Sequence, residues 1–322
     1  MTSISAPQCA YCGTTNRPEA RFCYQCGRAL APLVNGLNPA LTPTMPLPLF
    51  PPKGITLRYG FQSDRGRERQ NHEDSLITVQ LTGMVEGFIP VTLGLFAVAD
   101  GIGGSEAGEI ASRMALYYLS WEIVERTFKR VTVSANHSPY HLDRRLNTGW
   151  LERTLKASIV RVNQALYQMR QQRGNNMGTT LTAVLSLNEY AAAANVGDSR
   201  TYLWRQGQLQ QLTTDHSLVA ALMAAGEITD EESLYNHTQK GIIYRSLGER
   251  ENVEVDTHHL QLQTGDALVL CCDGLWEMIR PTGIATILGY ETDPQRACDE
   301  MVYRANLAGG KDNISVVVVA VS

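Results

Sequence analysis

Residues 179–206 read TTLTAVLSLNEYAAAANVGDSRTYLWRQ, which divides into three strand-length runs in direct succession, 179–187, 190–197 and 199–206. Short, largely apolar runs of this kind, close together along the chain, are the mark of strands rather than of one long helix. Toward the C-terminus come further runs at 253–262 (VEVDTHHLQL) and 267–272 (ALVLCC), and the chain ends on the strand-like ISVVVVAV at 314–321. Toward the N-terminus, 106–128 and 150–172 repeat apolar residues every three or four positions, as helices do, and a further helical stretch covers 294–306. The polar segment 129–149 between the first two helices reads as a loop or insertion. Strands clustered between helix pairs and joined by turns such as Gly207-Gln208 predict sheets covered by helices, not a doubly wound parallel sheet.

A chain of 322 residues, 43% hydrophobic and 19% charged, has enough apolar material for one large core plus a small appendage. The net charge of −4 provides no basic field to recruit nucleic acid or an anionic membrane. Residues 1–53 nevertheless carry four basic residues against one acidic, which leaves the remaining 269 at −7. The opening MTSISAPQ has neither the basic nor the apolar region of a signal peptide. The apolar runs, VTLGLFAVA (91–99) among the longest, are too short to span a bilayer. A cytoplasmic protein is the expectation. Of seven cysteines, the adjacent Cys271 and Cys272 sit in an apolar run and read as small buried hydrophobes.

The four N-terminal cysteines are different. Residues 9–27, CAYCGTTNRPEARFCYQCG, repeat one unit, Cys-x-x-Cys-Gly, at Cys9/Cys12 and Cys23/Cys26. Two residues between thiols let a single turn aim both sulfurs at a tetrahedral metal, and the following glycine tolerates the left-handed backbone such a turn requires. Some 30 residues with little apolar content need a staple, and a reducing compartment disfavours disulfides, so structural Zn²⁺ is expected. The pattern resembles zinc-ribbon modules. Residues 31–53 then hold seven of the thirteen prolines, which favours an extended spacer. The domain reading is a ribbon at 1–30, a proline-rich linker at 31–54 and one large domain at 55–322.

Four acidic positions stand where strand and loop meet: Glu73-Asp74 before an apolar strand, Asp100-Gly101 after GLFAVA, Asp273-Gly274 after ALVLCC, and Asp312-Asn313 before ISVVVV. A lone aspartate at a strand tip is ordinarily a turn former. Four such positions can bring carboxylates together, and clustered carboxylates call for a hard divalent cation.

The ordered set SDRGRERQNHEDS (63–75), FAVADGIGG (96–104), MGTT (177–180), NVGDSR (195–200), LTTDHS (212–217), LCCDGLWEM (270–278) and GGKDNIS (309–315) closely resembles the type 2C, metal-dependent protein phosphatases in their bacterial form. The resemblance covers about residues 57–321. It implies an α+β fold, a four-layer α-β-β-α sandwich of two antiparallel sheets flanked by helix pairs. It implies Mn²⁺ or Mg²⁺ at two sites, with Asp100 bridging, Asp273 and Asp312 completing the first, and Glu73 with the Gly101 carbonyl at the second. By the same resemblance Asp74 orients waters on the metals and Arg69 grips the substrate phosphate, which its planar fork suits. The activity implied is hydrolysis of phosphoserine and phosphothreonine in proteins by a metal-activated water, opposing a partner Ser/Thr kinase.

Two departures from the family pattern stand out. Ile102 replaces the histidine that some relatives carry after the bridging Asp-Gly, which leaves His72 as a substitute acid or, more simply, a loop histidine. Asn175 and Asn176 stand where bacterial relatives often place an aspartate for a third metal, and a neutral amide argues against a tightly held third ion. Residues 215–245 match the family's flap beside the active site. GIGGSEAGE (101–109) lacks dinucleotide-loop spacing, and AGGKDN lacks the remainder of a Walker loop. The competing readings are a non-catalytic phosphatase-like protein recruited through its ribbon and a nucleic-acid-binding ribbon. The first would ordinarily have lost ligands, and the weak +3 charge of the second makes protein docking the preferred role.

Overall fold

The computed structural model describes residues 8–9, 12–17, 25, 55–85, 89–103, 106–134, 148–230 and 232–322. The chain divides into two compact units, Met1–Phe50 and Pro51–Ser322. The proline-rich linker read at 31–54 lies outside the described residues.

In the larger unit the strands are β1 (Leu57–Asp64), β2 (Ser75–Val85), β3 (Ile89–Ala99), β4 (Gly101–Ile102), β5 (Gly178–Thr179), β6 (Leu181–Leu187), β7 (Tyr190–Val196), β8 (Arg200–Arg205), β9 (Gln208–Gln211), β10 (Asp256–Gln261), β11 (Ala267–Cys271) and β12 (Ile314–Val321). The helices are α1 (Glu106–Ser134), α2 (Thr148–Arg173), α3 (Leu218–Ala224), α4 (Ser233–Asn236), α5 (Asp273–Tyr290) and α6 (Pro294–Leu307). One sheet runs β1-β12-β11-β8-β9, the other β10-β7-β6-β3-β2, and β4-β5 form a small ribbon. All of these pairings are antiparallel.

The central strands β6, β7, β11 and β12 lack polar alternation because both of their faces are buried, with successive side chains entering different layers. Leu95, Ala97 and Ala99 of β3 pack against α1 and α2, whereas Phe96 and Val98 face the opposite sheet. In β12, Val316 and Val318 pack toward α5 and α6, and Val317, Val319 and Val321 face the other sheet. Three apolar layers between four layers of structure make the expected α-β-β-α sandwich. Cys271 and Cys272 follow the same alternation, the first toward the helices and the second between the sheets, both fully buried.

Two local expectations need correcting. The segment 129–149 is not loop from its start, because α1 continues through Ser134. KRVTVS contains no proline or glycine to stop the helix, and polarity alone does not end one. Residues 135–147 lie outside the described residues. The sequence reading also gave no helix to α5, which its Asp-Gly start and internal Pro281 conceal. The helix is broken at Arg280, where φ is 57° and ψ 163°, and Pro281 opens its second half. Proline is well suited to a first helical turn.

Phe96 is wholly buried in the layer between the sheets, so Phe96→Ala should cost about 3–5 kcal/mol. Urea unfolding should show a lower midpoint at an unchanged m-value.

Candidate active site

Antiparallel register builds the site. β2 begins opposite the end of β3, with Ser75 paired to Ala99, so Asp74 and Asp100 emerge at one end of their sheet. In the other sheet β11 pairs with β12, Cys271 against Val316, so Asp273 and Asp312 emerge together as well. Arg69, Glu73, Asp100, Gly101, Asp273 and Asp312 all line one cleft of about 440 Å³. Asp74 does not. It lines a separate hollow of about 530 Å³ with Ser63, His72, Arg113 and Tyr117. Its charge is nonetheless felt at Asp100.

Residues unassigned by sequence reasoning hold these groups in place. The Asn313 side chain accepts a hydrogen bond from the Glu73 backbone N–H (2.7 Å) and donates to the carbonyls of Arg65 (2.8 Å) and Asn71 (2.9 Å). One amide thereby ties the loop carrying Arg69 and Glu73 to the start of β12. The Ser112 hydroxyl donates to the Glu73 carbonyl at 2.6 Å. Thr180 and Asp100 exchange two bonds, from the Thr180 N–H to the Asp100 carbonyl (2.8 Å) and from the Asp100 N–H to the Thr180 hydroxyl (3.0 Å). Asn313 and Thr180 fall inside quoted motifs, which was the available signal, but partners distant in sequence conceal their roles. Close approach also requires glycine: a Cβ on Gly274 would overlap the Asn313 carbonyl, and one on Gly101 the carbonyls of Gly108 and Glu73.

The electrostatics are those of carboxylates crowded away from water. Burial, then the charges of Asp74 and Asp273, holds the Asp100 carboxyl well above the usual range. Asp74 is pushed up to about 7, chiefly by burial, and Asp273 to about 6 by burial and then Asp312. Burial also raises Glu73. Both Asp74 carboxylate oxygens and Oδ1 of Asp273 and of Asp198 are buried without a well-formed hydrogen bond, although Ser315 and Cys272 beside Asp74 partly offset its burial. Arg69 Nη2 sits on Asp312 Oδ2 at 2.6 Å, so the residue read as a phosphate grip and the one read as a metal ligand are engaged with each other. Among the described residues, no three acidic, histidine or cysteine side chains close into a single ligand shell. The carboxylates ring a hollow, as mutual repulsion requires. Buried oxygens without donors are nevertheless the ligands that hard divalent cations take.

His72 lines the same separate hollow as Asp74 rather than the cleft. Its Nε2 is 2.9 Å from the Ser63 hydroxyl, and burial lowers its pKa. Asn175 is occupied locally, its side-chain oxygen accepting from the Met177 N–H at 3.3 Å. The 215–245 segment does border the site, with Gly241 and Ile243 lining the cleft. Its base is held by the buried pair of Arg200 and Asp215 (2.6 Å), with the guanidinium 3.5 Å above the Trp276 ring. Lys240 pairs with Glu277, and Arg280 with Glu232 (2.6 Å), fastening the segment to α5.

In the smaller unit, Gly13 N–H donates to the Cys9 carbonyl (2.8 Å) and Cys9 N–H to the Thr14 carbonyl (2.9 Å), closing the turn between Cys9 and Cys12. Gly13 has φ +71°, the left-handed conformation expected of a knuckle glycine. Cys23 and Cys26 lie outside the described residues.

Comparison with known proteins agrees with this geometry. A family model described as protein phosphatase 2C matches residues 89–301, and a zinc-ribbon domain model matches residues 8–30. The serine/threonine phosphatase stp of Listeria monocytogenes is 38% identical over 261 residues, covering 80% of this chain and 94% of that protein. The S. agalactiae serine/threonine phosphatase structure superposes with a TM-score of 0.67 at 32% identity, covering 83% of this chain and all (100%) of that one. The catalytic domain of the phosphatase PstP, solved with two manganese ions, superposes with a TM-score of 0.65 at 31% identity, covering 83% and 99%. With its sandwich, its ring of carboxylates and these relatives, the chain belongs to the type 2C, metal-dependent family of protein serine/threonine phosphatases.

Proposed function

We propose that the cleft of this phosphatase holds two divalent cations, Mn²⁺ or Mg²⁺. Asp100 would be shared by both, Asp273 and Asp312 would serve the first, and Glu73 and the Gly101 carbonyl the second. The observation that carries this reading is the convergence of Glu73, Asp100, Asp273 and Asp312 on one cleft, with Oδ1 of Asp273 buried and without a well-formed hydrogen bond. No third ion is assigned to Asn175 or Asn176.

Bound there, the ion pair would supply Lewis acidity and a water nucleophile of lowered pKa. The chain's own residues do the remainder. Arg69, with its side chain 56% exposed at the cleft, presents a planar fork whose Nη2 alone engages Asp312, so its other donors are available to a phosphoryl oxygen. Asp74 would orient waters on the ions, its carboxyl lying outside the cleft lining but close enough for its charge to act on Asp100. The bonds from Asn313 and Thr180 keep Glu73 and Asp100 in place through the reaction. The substrates are phosphoserine and phosphothreonine proteins, which a partner Ser/Thr kinase must supply. The intact carboxylate set argues against a non-catalytic role.

The remaining readings are that residues 1–30 form a ribbon holding one Zn²⁺ through Cys9, Cys12, Cys23 and Cys26, that 31–54 tether it to a catalytic domain at 55–322, and that it docks a protein in the cytoplasm. The knuckle geometry at Cys9–Gly13 supports the zinc assignment.

Replacing either carboxylate should abolish turnover. Asp100→Asn or Asp273→Asn should lower Mn²⁺-dependent hydrolysis of a phosphothreonine peptide by at least about 100-fold, with circular dichroism unchanged. Near-normal activity in both variants would defeat the assignment.

Stability should follow pH and metal together. Aspartates of the unfolded chain ionise near 3.8, whereas without cations Asp273 and Asp74 hold protons to about 6 and about 7. The folded state then binds more protons across that window, so its stability is greatest below it and falls as pH rises through it. In EDTA the Tm should drop between pH 4.5 and 7.5. Millimolar Mn²⁺ should restore roughly 5–10 °C at pH 7.5 and much less at pH 4.5.

The ribbon should be separable from catalysis. The double variant Cys9→Ser/Cys23→Ser should lose its bound zinc in a colorimetric metal assay yet hydrolyse p-nitrophenyl phosphate at the wild-type rate.

A further inference from the structure

The catalytic cleft does not end at its carboxylates. A second hollow, of about 330 Å³, shares Ile102, Gly241 and Ile243 with it and continues between the 215–245 segment and the C-terminal end of α2. Its further lining includes Ile242, Arg170 and Glu249. Ile242 is 46% exposed, although its backbone is firmly held: its carbonyl accepts from the Leu218 N–H (2.8 Å) and its N–H donates to the Gln239 carbonyl (3.1 Å). The neighbouring Ile243 is bridged to Ser217. A solitary exposed isoleucine is ordinary on a protein surface. Three isoleucines from two separate segments converge on the mouth of the cleft, as the apolar part of a lining that also holds Asn176 and Ser246.

The charged lining does not select by sign. Arg170 donates to the Met177 carbonyl at 3.3 Å and Glu249 accepts from the Ser246 hydroxyl at 3.2 Å, and their opposite charges offset one another toward an incoming peptide. The isoleucines are the lining groups that can select by size and apolarity.

We propose that Ile102, Ile242 and Ile243 form a specificity subsite for one large aliphatic side chain of the phosphoprotein substrate. Hollows of about 440 and 330 Å³ have linear dimensions of roughly 7–8 Å, the span of two to three residues of extended chain at about 3.3 Å each. The aliphatic residue therefore lies two or three positions from the phosphorylated one. This inference rests on the phosphatase site proposed above and names the substrate class that the site prefers.

The test uses the full chain with Mn²⁺ and phosphothreonine peptides of serine background, in which a single leucine is moved from three residues before to three residues after the phosphothreonine. One leucine position, two or three residues away, should raise kcat/KM about 10-fold over the all-serine peptide, the scale of one well-buried aliphatic contact. Ile242→Ser should reduce that preference to about unity, Ile242→Val should retain most of it, and p-nitrophenyl phosphate turnover should be the same in all three proteins. Equal kcat/KM for every peptide with the wild type, or an undiminished preference in Ile242→Ser, overturns the subsite. Absence of p-nitrophenyl phosphate turnover would count against the catalytic reading instead. Fluorescence anisotropy of the same labelled peptides then tests the subsite by itself: leucine-dependent binding lost in Ile242→Ser supports it, and leucine-independent binding overturns it.

Discussion

Repulsion among carboxylates buried side by side governs this molecule. Asp74, Asp100 and Asp273 share one end of the sandwich with Asp312, and each of the three is raised above its ordinary pKa first by burial and then by neighbouring carboxylates, Asp312 among them in every case. Protein cations do little to relieve it, since Arg69 reaches only Asp312, at the exposed margin. A fold that holds such a cluster spends stability elsewhere to do so, here in three apolar layers that bury both faces of its strands. In the two-ion reading proposed for the cleft, the same repulsion would favour divalent cations, because the work of gathering negative charge is done before an ion arrives.

A charged cluster of this kind requires a rigid frame, and the frame consists of neutral hydrogen bonds. Asn313 joins the β1–β2 loop to β12, and Thr180 locks the Asp100 backbone from across the sheet. None of these contacts neutralises a carboxylate, so the oxygens stay available while their positions are held. The glycines at 101 and 274 serve the same end by letting backbones approach where any side chain would collide. The proposed substrate contacts are separate from this frame. The 215–245 segment reaches the cleft with Gly241 and Ile243 but is fastened to α5 by its own ion pairs, so its sequence can vary without disturbing the carboxylates.

Much of the site was legible along the chain because its residues mark places where strands end. Asp100-Gly101, Asp273-Gly274 and Asp312-Asn313 each border an apolar run, and the knuckle at Cys9–Gly13 carries its turn in its spacing. Elements that depend on competing local signals were harder to see. α5 hides behind Asp-Gly and Pro281, and the last turns of α1 run on through residues whose polarity suggested a loop.

The sequence by itself determined which residues are acidic, where strands stop and turns begin, and hence which side chains stand at strand tips, for these follow from local composition and a period of two. Only the tertiary structure decided that the tips share one end of the sandwich, that Asp74 lines a separate hollow, that Asn313 and Thr180 are the ties of the cleft, and that Arg69 rests on Asp312. Those outcomes depend on antiparallel register between strands from tens to hundreds of residues apart and on the mutual burial of like charges, and neither is encoded in any short stretch of chain.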